Sequence, residues 1–396
     1  MARLAVAAVA LLAAVAGTKT ADAPSGAGVV VFSVFSGLPP FQGDERCEGL
    51  YAARADGSGL TRLTGPDPRT FESHYWPSFA PSGRVAIFGS FARRTPRDLA
   101  IRLFTAELRP GRTRPLGRSD LPAPVAWSPR GDAVLVYRAR ERSLRVARIE
   151  VRTRHVRDLG GGFGPSAMLT PSWSPDGSQI VFTVRRTGPD TIWAMAADGS
   201  RKRRLARGTD GATWSPAGDR IAFLRPGPRT AELWTIRPDG RAARRLARGA
   251  FARGPHSIVW SPTGRSLLFL REPPPRPYYP GSEYEVGDLY RFDLASGRMR
   301  LLTRKVVPLE WADDARLLLL RPRVVAGELV FAVVVRTGSR ERVIGVTDEE
   351  DLNIGSYPAW QPRRAAVRAA VAPFAPRPEW GFCLERLRAL RTELGG

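Results

Sequence analysis

The sequence predicts an all-β protein: a seven-bladed β-propeller, with six blades as the alternative, made of four-stranded antiparallel blades and ending in a short C-terminal helix. Three observations carry this. A Trp-Ser-Pro-x-Gly stretch recurs at Trp127 to Gly131, Trp173 to Gly177, Trp214 to Gly218 and Trp260 to Gly264. Phe79-Ala80-Pro81-Ser82-Gly83 is a looser copy, and the stretches opening at Trp311 and Trp360 are degenerate ones. From position 79 to 360 the intervals are 48, 46, 41, 46, 51 and 49 residues, which is the spacing of a repeat architecture. Short runs of strand formers follow each anchor, and no period offers an uninterrupted amphipathic stretch of about ten residues for a helix.

Each element of the repeat has a physical reason. Pro at the second position of Ser-Pro-x-Gly presets a turn, and Gly at the fourth relieves crowding. The runs beyond the turn, Val85 to Phe88, Val134 to Tyr137, Ile180 to Phe182, Ile221 to Leu224 and Leu267 to Leu270, are continuously apolar, as suits a strand covered on both faces. A more alternating strand comes next at Ile192 to Met195, Leu233 to Ile236 and Leu289 to Phe292. Asp-Gly pairs at Asp56-Gly57, Asp198-Gly199 and Asp239-Gly240 then close a hairpin, and an Arg-Leu strand ends the repeat. Four short strands per period of about 40–50 residues make a propeller blade.

These repeats resemble the TolB-like, WD-repeat-related propeller family. The resemblance rests on the Trp-Ser-Pro-Asp-Gly turn, the Ile-x-Phe strand, the Ile-Trp-x-Met strand and the Asp-Gly-Ser-x-x-Arg-x-Leu ending, and it covers residues 28–361. It implies the propeller fold. It does not choose a function, because the family includes periplasmic scaffold proteins, sugar-acid lyases and the propeller halves of peptidases. Before the first anchor, Gly28 to Phe32, Gly49 to Ala52 and Leu60 to Leu63 read as the last three strands of a blade lacking its first. Tyr357 to Trp360 reads as the missing first strand, so pairing the N- and C-terminal strands closes the ring and removes a free sheet edge.

The ends and the composition set the context. Residues 1–16, with Arg3 ahead of the apolar run Leu4 to Ala16, read as a secretory signal peptide too short to span a bilayer, and 17–27 as a linker. No Cys stands near the cleavage site to carry a lipid. The expectation is an exported, extracytoplasmic protein without a transmembrane segment after cleavage. The chain has 61 Lys and Arg against 38 Asp and Glu, a formal charge of +23, and only Lys19, Lys202 and Lys305 are Lys. Many Arg fall in the fourth strands, where charge protects blade edges from pairing, and the skew toward Arg also reads as coding bias. An anionic partner is the other reading. The basic charge rings the protein without a recognition motif, which points away from nucleic acid.

Catalytic constellations are sparse. There is no Gly-x-Ser-x-Gly nucleophile elbow, no phosphate loop and no Cys-x-x-Cys metal site. His155 lies in an Arg-rich outer strand. His74, His256 and Asp210 begin innermost strands and are expected to ring the channel mouth on the face that carries the longer loops. Loop-rich faces of rigid scaffolds are where ligands bind. The segment Pro273 to Pro280, with Tyr278, Tyr279 and Tyr284, adds aromatic surface stiffened by proline. The plainer reading is that the His pair is satisfied by backbone and the Tyr residues pack over their own blade. The Asp of the turns is explained by turn chemistry rather than calcium.

After 362 the repeat ends. Residues 362–378 read as a connector, and 379–394 as an amphipathic helix with Cys383, Leu387, Leu390 and Leu394 on one stripe, docked on the propeller because so short a helix is not stable alone. Cys47 is the only other cysteine, and export favours pairing, so a Cys47–Cys383 disulfide latching the tail across the ring closure is predicted. The sequence thus reads as an exported, monomeric, non-catalytic binding or scaffold module of the cell envelope, without metal or cofactor, its partner a protein or an anionic cell-wall polysaccharide. The alternative is a metal-assisted lyase or hydrolase acting on an acidic polysaccharide, with His74, His256 and Asp210 as ligands; only two His on that face weigh against it.

Overall fold

The computed structural model describes residues 29–34, 47–54, 58–64, 73–81, 85–91, 101–107, 113–120, 126–140, 143–160, 167–186, 188–208, 211–226, 231–249, 258–271, 286–311, 315–325, 328–348 and 381–395. The expected signal peptide and linker, the closing strand at Tyr357 to Trp360 and the connector lie outside them. The chain is all-β with several four-stranded antiparallel sheets like propeller blades and one C-terminal helix.

The strands run in order. β1 (Val29–Val34), β2 (Gly49–Arg54) and β3 (Thr61–Arg62) form a three-stranded antiparallel sheet. β4 (Ser73–Phe79), β5 (Val85–Phe91), β6 (Ile101–Glu107) and β7 (Thr113–Ser119) form a four-stranded one. β8 (Ala126–Trp127), β9 (Ala133–Arg140), β10 (Ser143–Glu150) and β11 (Val156–Asp158) follow, then β12 (Ala167–Trp173), β13 (Gln179–Arg185), β14 (Thr191–Ala196) and β15 (Arg203–Arg207). A single parallel pair, Leu144 with Ala167, joins these two runs into one sheet. β16 (Thr213–Trp214), β17 (Ile221–Pro226), β18 (Ala231–Ile236) and β19 (Arg244–Gly249) stand alone.

The last run departs from the expected repeat. β20 (Ile258–Trp260), β21 (Ser266–Arg271), β22 (Gly287–Asp293), β23 (Met299–Trp311), β24 (Arg316–Val325), β25 (Glu328–Thr337) and β26 (Arg340–Asp348) form one seven-stranded sheet. β23 serves twice: its first half pairs with β22 and its second half with β24. The outer strand of one unit thus runs without a link into the first strand of the next. Lys305, at φ 52, sits at the junction, a left-handed residue that lets the strand change partner.

The core lies between sheets. Along β13, Ile180, Phe182 and Val184 pack toward Trp173 and Leu135, while Val181 between them packs toward Trp214 and Phe223 of the next sheet. β17 and β21 do the same, Ile221 and Phe223 facing one way and Ala222 and Leu224 the other, then Leu267 and Phe269 against Leu268 and Leu270. Side chains alternate across a strand, so a strand covered on both faces has to be apolar at every position.

The Trp-Ser-Pro-x-Gly stretch is the joint between sheets. Trp127, Trp173, Trp214 and Trp260 are buried, and each indole Nε1 donates to the carbonyl of the residue just before the preceding anchor: Ser78, Ala126, Ser172 and Thr213, at 3.1, 3.1, 3.2 and 3.1 Å. Each Ser closes its own hairpin. Its carbonyl accepts from the turn Gly at 2.8–2.9 Å, and its Oγ accepts from the N–H that opens the next strand, as Ser174 does from Gln179 at 2.9 Å. The Gly residues at 131, 177, 218 and 264 have φ of 71–74°, where a side chain is strained. They also rest on the previous turn: a Cβ on Gly177 would stand 3.5 Å from Pro129 Cδ, and one on Gly131 3.2 Å from Pro81 Cδ. Trp311 breaks the chain of bonds, because its buried Nε1 has no partner.

β1 and β2 pack against β4 on one side and β26 on the other. The Phe32 ring lies so close to Gly345 that an added Cβ would come within 2.8 Å. The helix α1 (Gly381–Glu393) lies on β26, with Leu384, Leu387 and Leu390 buried beside Phe32, Tyr51 and Ile344. Leu384 joins the predicted stripe, and Leu394 is only partly buried. Cys383 is bonded to Cys47, with their Cα atoms 5.5 Å apart, so the predicted disulfide forms.

Candidate functional site

Two edges of the sheets differ in kind. One carries the Ser-Pro-x-Gly and Asp-Gly turns, which are tight and alike. Asp198 accepts from the N–H and hydroxyl of Ser200 at 2.9 and 2.6 Å, and Asp239 accepts from the Arg241 N–H at 2.9 Å. The opposite edge carries the connections between second and third strands. These range from residues 141–142 to the long stretch 272–286.

Of the residues predicted to ring a channel mouth on that second edge, His74 is placed by its backbone. It is the second residue of β4 and stands opposite Ser90 of β5. Asp210, His256, Tyr278, Tyr279 and Tyr284 lie outside the described residues. Asp56-Gly57 and the loops 36–46, 92–100, 161–166 and 250–257 do too. Among the described residues no three His, Cys, Asp or Glu side chains come together as a metal site would require.

Among the described residues, a depression lies on the tight-turn edge of the β16–β19 sheet. It has a volume of about 790 Å³ and lies between the Gly218-Asp219-Arg220 turn and the Arg237-Pro238-Asp239 turn, with Thr235, Ile236 and Arg244 in its wall. Arg220 pairs with Asp219 at 3.5 Å and Arg237 with Asp239 at 3.7 Å. Such exposed pairs hold little energy. Arg203 of β15 reaches across and donates to the Pro238 carbonyl at 2.7 Å, so the groove wall is also a joint between sheets.

The electrostatics are those of fixed acceptors. Five carboxylates among the described residues depart from their ordinary values, and all move down. Burial raises Asp176, but hydrogen bonds from Ser174 and Ser178 outweigh it. Asp198 is lowered by the Ser200 hydroxyl and N–H, and Asp293 by the N–H and hydroxyl of Ser296. Glu232 is lowered by the Trp234 indole and then by Arg248. Burial raises Glu341, yet Arg321, in a bidentate pair at 2.5 and 2.8 Å, and then Arg336 bring it below the ordinary value. A general acid needs the opposite shift, so these groups remain ionised acceptors rather than proton donors.

Sequence reasoning missed the Glu232 arrangement. Trp234 Nε1 donates to Glu232 Oε2 at 2.9 Å, and Arg248 and Arg245 donate to Oε1 at 2.7 and 3.2 Å. The signal was present in the identical Arg-Arg-Leu-Ala-Arg runs at 203–207 and 244–248.

The comparisons with known proteins fit this architecture. Residues 74–279, more than half of the chain, match the model of the TolB beta propeller domain. The chain belongs to the TolB beta propeller domain family. Among solved structures it is similar to TolB from Acinetobacter baumannii, at 16% identity and a TM-score of 0.46, over 65% of this chain and 62% of that one. The chain therefore spans less than two thirds of that protein's length. It is similar to an oligogalacturonate lyase from Vibrio parahaemolyticus at 12% identity and a TM-score of 0.51, over 74% and 83% of the two chains. A puromycin hydrolase matches at 19% identity and a TM-score of 0.54, over 83% of this chain and 50% of that one. At such identities likeness speaks for the fold alone, and the solved structures that share it include both TolB and enzymes. No helix among the described residues is long and apolar enough to cross a membrane.

Proposed function

We propose that this TolB-type propeller is an exported binding and scaffold protein of the cell envelope, without catalysis of its own. In this reading the units form a seven-bladed ring. Tyr357 to Trp360 supplies the first strand beside β1, and the Cys47–Cys383 latch covers the closure. The partner, a protein or an anionic polymer, binds at the loop-rich edge around His74, Asp210, His256, Tyr278, Tyr279 and Tyr284.

The observation that carries the reading is how the repeat's polar residues are used. The Trp indoles join neighbouring sheets, and the turn Ser and Asp side chains close their own hairpins. The recurring motif therefore builds rigidity rather than a reaction centre, and a rigid frame that leaves one edge free to vary suits recognition. The packing of β1 and β2 between β4 and β26 favours ring closure.

The test is removal of metal. Protein stripped with chelator should keep its melting temperature and its retention of envelope partners. A stoichiometric transition metal that survives dialysis and is lost on substituting His74 and His256, together with metal-dependent cleavage of polygalacturonate, would overturn the scaffold reading and establish the lyase alternative.

A further inference from the structure

Three successive units share a register between their third and fourth strands, with a polar residue opposite or beside an outer-strand Arg. In each, a bulge follows the strand's apolar residue: between Ile192 and Trp193, Leu233 and Trp234, and Leu289 and Tyr290. One residue earlier stand Thr191, Glu232 and Asp288. The outer strand sets Arg207 opposite Thr191 and Arg248 opposite Glu232, and Arg304 answers Asp288. Arg248 and Arg304 hold their carboxylates at 2.7 and 3.1 Å. In both aromatic-Trp units the indole N–H donates to this same position, to Glu232 at 2.9 Å and to Thr191 at 2.9 Å.

The β14–β15 unit therefore has every part of the carboxylate clamp except the carboxylate. Arg204 and Arg207 match Arg245 and Arg248 by sequence and by register, yet Thr191 stands where the acid would be. The neighbouring Asp190 is held by Arg185 at 3.0 Å. Arg201, Arg204 and Arg207 are exposed and have no acidic partner among the described residues. β15 is also the free edge of its sheet.

We propose that Arg204 and Arg207, over Thr191, form a docking site for an aspartate or glutamate side chain of a partner protein, presented on an extended acidic segment laid along β15. The sister units display the chemistry: the same pair of outer-strand positions, Arg245 and Arg248, takes the Glu232 carboxylate, and Arg304 alone takes that of Asp288. Charge at an edge strand normally repels pairing, and an acidic segment reverses that sign. Arg is suited to it because its fork matches a carboxylate. The site lies on the outer strand beside the loop-rich edge, Thr191 being the first residue after the connection from β13, and it uses none of the residues proposed to bind a partner there.

The test fills the site from within. Fluorescence anisotropy of a labelled oligoglutamate peptide is measured against the full chain at low salt, for wild type, Thr191→Glu and Thr113→Glu, the last making the same charge change on another sheet. Thr191→Glu should weaken binding at least fivefold and Thr113→Glu less than twofold. Arg204→Gln/Arg207→Gln should match Thr191→Glu, and it serves as the deciding variant if Thr191→Glu does not fold. Equal binding by Thr191→Glu and Thr113→Glu would mean diffuse attraction to the basic surface and would overturn the site. Polygalacturonate binding that is sensitive to Thr191→Glu, with oligoglutamate binding insensitive, would overturn the protein partner.

Discussion

Replacing one tryptophan of the interlock separates the hydrogen bond from the packing. Trp173 is 5% exposed and packs with Leu135, Tyr137, Ile180 and Phe182. Its Nε1 reaches the Ala126 carbonyl at 3.1 Å, and the Arg148 guanidinium lies 5.6 Å from its ring centroid. Trp173→Ala removes all of this and should cost about 3–5 kcal/mol. Trp173→Phe keeps most of the apolar contact but leaves a buried carbonyl without its donor, a loss of about 1–3 kcal/mol. Trp311 is the internal control: it is buried to a similar degree, 6% exposed, and its Nε1 bonds to nothing. Trp311→Phe should therefore cost only the change of shape, about 1 kcal/mol. Urea-unfolding midpoints at unchanged m-value report the difference. If Trp311→Phe loses as much as Trp173→Phe, the indole bonds do not tie the sheets together.

Other expectations follow from the same structure. The latch spans a sequence separation of 336, so chain entropy sets a ceiling on the order of 5 kcal/mol for what Cys47→Ser/Cys383→Ser loses. Unreduced intact-mass analysis should find no alkylatable thiol, and finding two would remove the latch. Glu341 has its carboxyl below the ordinary 4.5, so its contribution is present above that value and fades as pH falls through and below it. Glu341→Gln should flatten that acid limb of the stability curve, and an unchanged limb would put the acid sensitivity elsewhere. Replacing Tyr278, Tyr279 and Tyr284 with Ala should weaken partner binding while the melting temperature holds. A triple variant that unfolds would make these residues core rather than surface.

Much of the fold was legible because its signals are local. A turn that needs Pro and a left-handed Gly, followed by a run apolar at every position, can be read without any contact map, and Ile180, Val181 and Phe182 face where that rule puts them. The disulfide was legible because the leader-like start of the sequence reads as export, and two cysteines leave one pairing. The sharing of β23 was not. Met299 to Trp311 contains no Gly, Asn or Asp to mark a link, and its corner is Lys305, a residue type with no preference for a left-handed backbone. The carboxylate clamp was hidden for a different reason. Its partners are three residues apart on the outer strand, as in Arg245 and Arg248, and only the bulge brings both to one carboxylate. A period of two, the ordinary reading of a strand, separates them.

The interlock also explains why the Ser-Pro-x-Gly turns are alike. Gly131, Gly177, Gly218 and Gly264 each rest on the Pro of the turn before, and Trp127, Trp173, Trp214 and Trp260 each reach the residue preceding the anchor before. Lengthening a Ser-Pro-x-Gly turn would displace a contact on both neighbouring sheets at once. The connections between second and third strands extend from two residues between β9 and β10 to the stretch 272–286 between β21 and β22. A chain that holds its turn edge constant and lets the other edge change has a stable frame and a variable surface, and recognition belongs on the surface that the frame leaves free.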